Sequence, residues 1–177
     1  PIPDWENTAP DVLKQRIADA GVVGMGGAAF PCHVKLSPPP HKTIDTLIIH
    51  GTECEPALTD DHRLMLEHPE RIVLGARILA RILGVREVLF GIEKNKPDAI
   101  KLLRKTCEGT GVRLVSLRVY YPQGGEKQLI YALTGRKVPA GGLPMDVGAV
   151  VQNVGTAAAV AEAVLEGKPV YERIVTV

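Results

Sequence analysis

The sequence predicts an α/β fold in which helices cover a mostly parallel sheet. Apolar runs of strand length alternate with helical stretches, in the order strand, helix, strand, helix, strand between residues 46 and 119. Strands linked by helices run parallel, because each helix carries the chain back to the same end of the sheet. A chain of 177 residues, 45% of them hydrophobic, is long enough to bury one proper core. We therefore expect one Rossmann-like domain that comprises residues 1–177.

Each predicted helix has apolar residues at intervals of three and four, and each predicted strand is a short apolar run. The elements are a helix over 11–20, a strand over 46–50, a helical stretch over 63–83, a strand over 87–92, a helix over 97–107, a strand over 113–119, a helix over 126–134 and an alanine-rich helix that begins at 153–156 and ends near 165. Gly21, Gly84 and Gly135 end three of the helices. Pro69 is expected to divide the stretch over 63–83, and a loop rich in glycine and proline is predicted over 139–144.

Composition excludes several classes of partner. Charged residues make up 23% of the chain and the formal net charge is +1, so neither nucleic acid nor an anionic membrane surface is expected as a partner. The longest strongly apolar segment, 72–83, contains Arg77 and Arg81. Direct membrane insertion is therefore not expected, and any link to a membrane must run through other subunits.

The cysteines indicate neither a disulfide framework nor a metal centre. Cys32, Cys54 and Cys107 are odd in number and lack CxxC spacing, and the histidines near them match no set of metal ligands. The chain opens without methionine and stops on a strand-like run. We expect a domain excised from a longer polypeptide whose cysteine-rich motifs lie downstream.

A glycine-dense loop over 24–31 is the first candidate for binding. Gly24, Gly26 and Gly27 let backbone N–H groups approach an anion, and Lys35 follows closely enough to reach a phosphate as a point charge. The loop lacks Walker A spacing, and it follows a predicted helix where a dinucleotide fingerprint would follow a strand. It favours a phosphate-bearing aromatic cofactor, although a tight turn alone would also explain the glycines.

Acidic and capping residues supply further candidates. Glu53 and Glu55 follow the first strand, at the edge where open α/β sheets bind ligands, and can accept hydrogen bonds from ribose hydroxyls or flavin N–H groups. An exposed acidic turn before Pro56 is the alternative. The turn Gly124-Gly125-Glu126 fits either a nucleotide or an ordinary helix start, and Asn153 and Thr156 are also explained as helix caps.

The chain closely resembles the C subunit of the Rnf (Rsx) electron-transport complex and, more distantly, the flavoprotein (NADH-binding) subunit of respiratory complex I. The stretches that carry the resemblance are GVVGMGGAAFPCHVKL at 21–36, ECEPALTDDHRLM at 53–65, GIEKNKPDAI at 91–100, YPQGGEKQLIYALTGRKVPAGGLPMDVG at 121–148 and QNVGTAAAV at 152–160. The resemblance implies an FMN- and NADH-binding domain of the complex I flavoprotein type. It further implies a component of an ion-translocating ferredoxin:NAD oxidoreductase, lying peripherally at the cytoplasmic face of the bacterial cell membrane beside integral membrane and iron–sulfur subunits.

The resemblance also implies roles for individual residues. Hydride exchange between nicotinamide and flavin would be followed by electron transfer to 4Fe-4S clusters in the missing C-terminal part, with no catalytic acid or base, and the fragment alone would not be fully active. The implied assignments are the flavin phosphate region for Gly24, Gly26, Gly27 and Lys35, the flavin and ribosyl side for Glu53 and Glu55, the nicotinamide nucleotide for Phe30, Tyr121 and Glu126, and the flavin pocket for Asn153 and Thr156.

Two departures from the family pattern concern the expected site. Ala29 stands where a glycine is usual, and His50 stands where an asparagine begins the acidic stretch. Two alternatives remain open from the sequence. One is the cobalamin reductase of propanediol-utilising microcompartments, which shares the glycine loop and the Glu-Cys-Glu-Pro stretch. The other is a cofactor-free scaffold that docks neighbouring subunits.

Overall fold

Four parallel strands form one sheet in the computed structural model, which describes residues 1–53 and 55–177. The strands are β1 (Thr46–Gly51), β2 (Glu87–Glu93), β3 (Val112–Leu117) and β4 (Ala149–Asn153). Their order across the sheet is β3-β2-β1-β4, and every neighbouring pair is parallel. The predicted α/β class with a parallel sheet is therefore confirmed.

Helices connect the strands and cover the sheet. They are α1 (Pro10–Asp19), α2 (Cys32–Lys35), α3 (Asp60–Glu67), α4 (Pro69–Leu83), α5 (Pro97–Cys107), α6 (Glu126–Thr134), α7 (Val154–Leu165) and a 3-10 helix over Pro144–Val147. Pro69 divides the stretch over 63–83 as predicted, because its ring opens α4 and cannot continue α3. None of the helices in the described part of the chain combines the length and the apolar character that a membrane crossing needs.

The strand β4 and the short helix α2 were not predicted from the sequence. Only five residues form β4, and α7 begins directly after it. Its partner β1 lies far away in the chain, so no local signal marks the pairing. The helix α2 has four residues, too few to show helical periodicity.

Two hydrophobic cores lie on opposite faces of the sheet. Leu47, Ile49 and Phe90 point into the larger core, which α1, α4, α5 and α7 cover. Ile48 and Leu89 occupy alternate positions of the same strands, and they point into a smaller core under α6. The sheet is therefore the middle layer of three.

In the larger core, α4 and α7 approach each other closely at Gly75. A Cβ atom built on Gly75 would lie 1.8 Å from the carbonyl oxygen of Ala157. Only glycine fits at this point, because any side chain would overlap the backbone of α7. The lack of a side chain at Gly75 thus sets the distance between the two helices.

Candidate functional site

The chain leaves β1 on one side, toward β2, whereas β4 joins the sheet on the other side of β1. Such a reversal opens a crevice at the carboxyl ends of the two strands, where open α/β sheets bind ligands. His50 and Asn153 are register partners at that end. The geometry of the sheet therefore puts a binding crevice between β1 and β4.

The glycine loop lies over this crevice. It is closed at its base by a bridge between Val23 and Pro31, and the amide of Gly24 donates to the carbonyl oxygen of Phe30 at 2.8 Å. The amide of Met25 donates to Thr156 Oγ1 at 2.9 Å. Thr156 thus fastens the loop to the first turn of α7, the end of a helix that favours anions.

Backbone conformation explains two residues of the loop. Gly27 has a φ of 123°, which side chains rarely tolerate. Ala29 has a φ of 50°, in the left-handed region that favours glycine. This backbone angle would explain the glycine that the family resemblance leads us to expect at position 29.

A cavity of about 290 Å³ lies under the loop. Most of the predicted binding residues contribute to its wall, which consists of Gly24, Gly26, Ala28, Phe30, Lys35, His50, Gly124, Glu126, Val151, Gln152, Asn153 and Thr156. Gly27 and Gly125 belong to the same two turns but do not line the cavity. The structure brings together the glycine loop, the turn before α6 and the start of α7.

Lys35 and Glu126 contact each other in the wall of this cavity. Lys35 Nζ lies 3.1 Å from Glu126 Oε1 and donates to the carbonyl oxygen of Val151 at 2.8 Å. Since an ammonium has three N–H groups, one is left for a ligand as far as the described residues show. The resemblance assigns the two residues to different ligands, yet they form one ion pair.

His50 ties the end of β1 to the turn before α6. Its Nε2–H donates to the carbonyl oxygen of Gly124 at 2.8 Å. His50 therefore positions the Gly124 turn at the edge of the cavity.

The remaining predicted residues line a second cavity, of about 440 Å³, beyond the ends of β1, β2 and β3. Its wall consists of Glu53, Glu55, Pro56, Ala57, Leu58, Thr59, Glu93, Asn95, Lys96, Val119, Tyr120 and Tyr121. Cys54, between the two acidic residues, lies outside the described residues. The predicted site is thus divided between a glycine-rich and an acidic cavity.

Glu53 is buried and bound by the protein itself. Its Oε2 pairs with Lys96 Nζ at 3.0 Å, and the two side chains are only 4% and 10% exposed. Its Oε1 accepts a hydrogen bond from the amide of Asp61 at 3.0 Å. Both carboxylate oxygens of Glu53 therefore already have a donor.

Glu93, which was not predicted, ends β2 in the same cavity. It is 1% exposed, and neither of its carboxylate oxygens has a hydrogen-bond partner among the described residues. Burial raises the pKa of Glu93, as does the charge of Glu53, while nearby Lys96 lowers it. Gln123 does not line this cavity, but its buried Nε2 likewise meets no acceptor among the described residues. The position of Glu93 at a strand end, like that of Glu53, is the signal that could have identified it.

Among the described residues, the geometry shows no group of side chains that fits a metal ion, and the Cys32 thiol is not activated. Within residues 1–53 and 55–177, no three His, Cys, Asp or Glu side chains are grouped so that they could hold a metal ion. Burial raises the pKa of the Cys32 thiol to about 12. The Cys32 thiol therefore stays protonated at neutral pH and is a poor nucleophile.

Residues 17–162 match the Nuo51 FMN-binding domain family. The chain is 52% identical, over 174 residues, to the C subunit of the proton-translocating ferredoxin:NAD(+) oxidoreductase complex of Clostridium ljungdahlii. It is 47% identical to the corresponding subunit of the Na(+)-translocating complex of Acetobacterium woodii, and 48% identical to that of the ion-translocating oxidoreductase complex of Pseudomonas aeruginosa. These matches cover 98–99% of the chain but 38%, 40% and 23% of the three relatives, so the chain spans well under half of their length.

Solved structures show the same fold. A chain of an NAD+-reducing [NiFe]-hydrogenase in the air-oxidized state superposes with a TM-score of 0.75 and 28% identity, covering 88% of this chain and 30% of that one. The hydrogenase in the H2-reduced state gives a TM-score of 0.66 and 26% identity, covering 90% of this chain and 32% of that one.

Proposed function

We propose that this chain, which belongs to the Nuo51 FMN-binding domain family and to the C subunits of ion-translocating oxidoreductase complexes, binds FMN and NAD(H) at the carboxyl edge of its sheet. Its role would be to pass electrons between nicotinamide and iron–sulfur clusters of a ferredoxin:NAD oxidoreductase. The observation that carries the proposal is the glycine loop fastened to the first turn of α7 by Thr156, at the crevice between β1 and β4.

The glycine-rich cavity suits a phosphate. Gly24 and Gly26 line it with backbone alone, and Lys35 adds a positive charge. The amino end of α7 contributes the positive end of a helix dipole. We assign the phosphate of FMN to this cavity.

The buried carboxylate of Glu93 suits a heteroaromatic ring with N–H donors. It lines the acidic cavity and meets no partner in the described chain, and a buried polar group left without one is costly. A flavin presents ring N–H and carbonyl groups. The residues present therefore fit the group.

When bound, FMN would supply the exchange of a hydride with nicotinamide and the release of single electrons. The protein's own residues would bind and orient. Phe30 and Tyr121 are 50% and 72% exposed, and their rings offer surfaces on which a nicotinamide nucleotide can stack. Glu126 would accept hydrogen bonds from that nucleotide, while Lys35 holds its carboxylate in place.

The relatives' names support a place for this chain in a complex of several subunits. Those proteins are subunits of ion-translocating complexes, so we infer integral membrane and iron–sulfur subunits as partners of this chain and a peripheral position at the cytoplasmic face of the membrane. The 4Fe-4S clusters would be held outside these 177 residues.

A cofactor-free scaffold is the competing function, and one observation favours it. The polar ends of Lys35 and Glu53 are bound by other protein groups, so each would have to share its contacts with a ligand. Calorimetry with FMN and NADH distinguishes the two functions. Micromolar or tighter binding of either ligand contradicts a purely structural role.

The proposal is tested by reconstituting the intact protein with FMN and adding NADH without oxygen. We expect a flavin absorbance band that bleaches. Lys35→Gln should weaken FMN binding about tenfold, the effect of losing one charged contact. Lys42→Gln is the matched control, since Lys42 pairs with Asp146 at similar exposure but lies outside the cavity. A folded protein that neither binds FMN nor bleaches would overturn the proposal.

A further inference from the structure

A line of hydrogen bonds runs from Glu53 in the acidic cavity to Asn153, which lies beside the glycine loop, and Asp61 is its middle member. The amide of Asp61 donates to Glu53 Oε1 at 3.0 Å. Its carboxylate Oδ2 accepts from Asn153 Nδ2 at 2.7 Å. Asp61 therefore contacts Glu53, a predicted binding residue of the acidic cavity, and Asn153, a predicted binding residue of the glycine-rich cavity.

Asn153 itself lies against the glycine loop. Its Oδ1 accepts from the amide of Gly155 at 2.7 Å and so caps α7, while a Cβ built on Gly26 would lie 3.4 Å from Asn153 Cβ. Both the Nδ2 and the Oδ1 of the Asn153 side chain thus have a hydrogen-bond partner. Asn153 is oriented by its hydrogen bond to Asp61, and its Cβ lies close to Gly26 of the glycine loop.

We propose that the charge of Asp61 is coupled to anion binding at the glycine loop, next to which Asp61 is held by its hydrogen bond to Asn153. The inference rests on the proposed function, because the anion in question is the phosphate of FMN. Asp61 lies in α3 and does not line the glycine-rich cavity, so it would act on the phosphate through its charge, from behind Asn153 and without touching the ligand. Asp61 is not among the binding residues predicted from the sequence.

The surroundings of Asp61 make its charge variable near neutral pH. Burial is the main cause that raises its pKa to about 7; the charges of Asp60 and Glu53 add to the rise, while Asn153 and Arg173 oppose it. Lys96 compensates Glu53 nearby. A cavity of about 280 Å³ on the other side of Asp61 is lined by further charged or titratable side chains, namely His68, Arg71, Glu162, Lys168, Tyr171 and Glu172.

Coupling of this kind is reciprocal. An ionised Asp61 adds negative charge close to a site for a phosphate, so FMN should bind more weakly when Asp61 has lost its proton. Conversely, bound FMN should raise the pKa of Asp61. In the unaltered protein, FMN affinity should therefore fall as pH rises through about 7.

The test compares FMN binding between pH 6 and pH 8, followed by flavin fluorescence, in the intact protein and in Asp61→Asn. We expect affinity to fall about fivefold more in the unaltered protein than in the variant. Riboflavin, which has no phosphate, should show no such difference. The matched control is Asp98→Asn, since Asp98 is the second residue of α5 as Asp61 is of α3, and this variant should behave like the unaltered protein.

Two outcomes overturn the inference and remain distinct from failure of the proposed function. FMN that binds with the same pH profile in Asp61→Asn as in the unaltered protein contradicts the coupling. If Asp61→Asn does not fold, the carboxyl carbon shift of Asp61 is titrated by NMR in the unaltered protein with and without FMN, and an unchanged pKa contradicts it equally. Absence of FMN binding at every pH in the unaltered protein overturns the proposed function itself.

Discussion

The larger core between α4, α7 and the sheet, called the base from here on, differs from the loops at the carboxyl edge of the sheet in how its residues affect stability. At the base, α4 and α7 pack so closely that no side chain fits at Gly75, and the residues around it are apolar and buried. At the edge, Ala29 and Ala57 adopt positive φ angles, and Glu53 and Lys96 form a buried ion pair. Each of these edge features costs stability on its own.

The difference between the two regions shows which part of the molecule stabilises the fold and which part tolerates features that reduce stability. Burial of apolar surface in the base stabilises the fold, while strained and charged groups are tolerated where ligands are expected to bind. Substitutions in the base should therefore act on stability alone. Substitutions at the edge should, besides any effect on stability, change binding, pH dependence or local strain.

The largest effect is expected for Gly75→Ala. The new methyl group would lie 1.8 Å from the carbonyl oxygen of Ala157, so α4 and α7 must separate. We expect the free energy of unfolding to fall by about 3 kcal/mol or more, measured by urea denaturation. Gly109→Ala is the control, because its methyl group meets nothing within 4 Å and only its φ of 73° opposes it, at about 1 kcal/mol. Equal losses would show that the crossing is not tight.

A second large effect is expected at the edge, for Lys96→Met. This change leaves Glu53 buried beside Glu93 without its cation, and the free energy of unfolding should fall by about 3 kcal/mol. Adding Glu53→Gln should restore most of the loss, since the uncompensated charge is then gone. A double variant as unstable as Lys96→Met would contradict this account.

Glu93→Gln should alter the pH dependence of stability. Because the pKa of Glu93 is raised in the folded protein, its contribution is fully present below the ordinary glutamate pKa and is lost as pH rises through the folded value. The unaltered protein should lose up to about 1.4 kcal/mol for each unit by which that pKa is raised, and the variant should show a flatter profile. Glu87→Gln, at the other and exposed end of β2, should leave the profile unchanged in urea denaturation between pH 4 and pH 8.

Glu126→Gln should act on binding far more than on stability. Its pair with Lys35 is partly exposed, so its loss should cost less than about 1 kcal/mol of unfolding free energy. NADH binding should weaken about tenfold, because a charged acceptor for the nucleotide is removed. Calorimetry on the intact protein measures this, with Glu67→Gln, the partner of Arg63 on α3, as control. Unchanged NADH affinity would remove Glu126 from the site.

The smallest effect, and one that stabilises, is expected for Ala29→Gly. Glycine adopts the φ of 50° without strain. Relief of this strain should stabilise the folded protein by about 0.5 kcal/mol more than the added flexibility of the unfolded chain destabilises it. Ala28→Gly relieves no such angle and should destabilise slightly. Thermal unfolding of the two variants compares them directly, and a lower melting temperature for Ala29→Gly would count against strain at this position.

Local signals were enough to predict most of the fold. Pro97 marks the start of α5, and Gly84 and Gly135 adopt left-handed angles directly after α4 and α6. These signals act within a few residues of the element that they delimit. The strand β4 was not predicted because what defines it is its pairing with β1, a strand that lies far away in the sequence.

The binding roles of the candidate residues stay a prediction, but the structure shows which of them lie together. The glycine loop, Lys35 in α2 and Thr156 in α7 line one cavity. The ion pair of Lys96 with Glu53 spans 43 residues of sequence, and nothing in the charged run around Lys96 distinguishes it from a solvated surface. Contacts of this kind depend on the register of neighbouring strands, which periodicity does not specify.

The separation of β1 and β4 in the sequence has a consequence for how the protein folds. The two strands are roughly a hundred residues apart, so their pairing must wait until the residues between them have been made and have closed a long loop. Until then β1 is an edge strand whose open backbone groups, beside Ile48 and Ile49, can pair with another chain. We expect versions truncated before Ala149 to aggregate, and folding of the intact protein to slow when β4 is weakened.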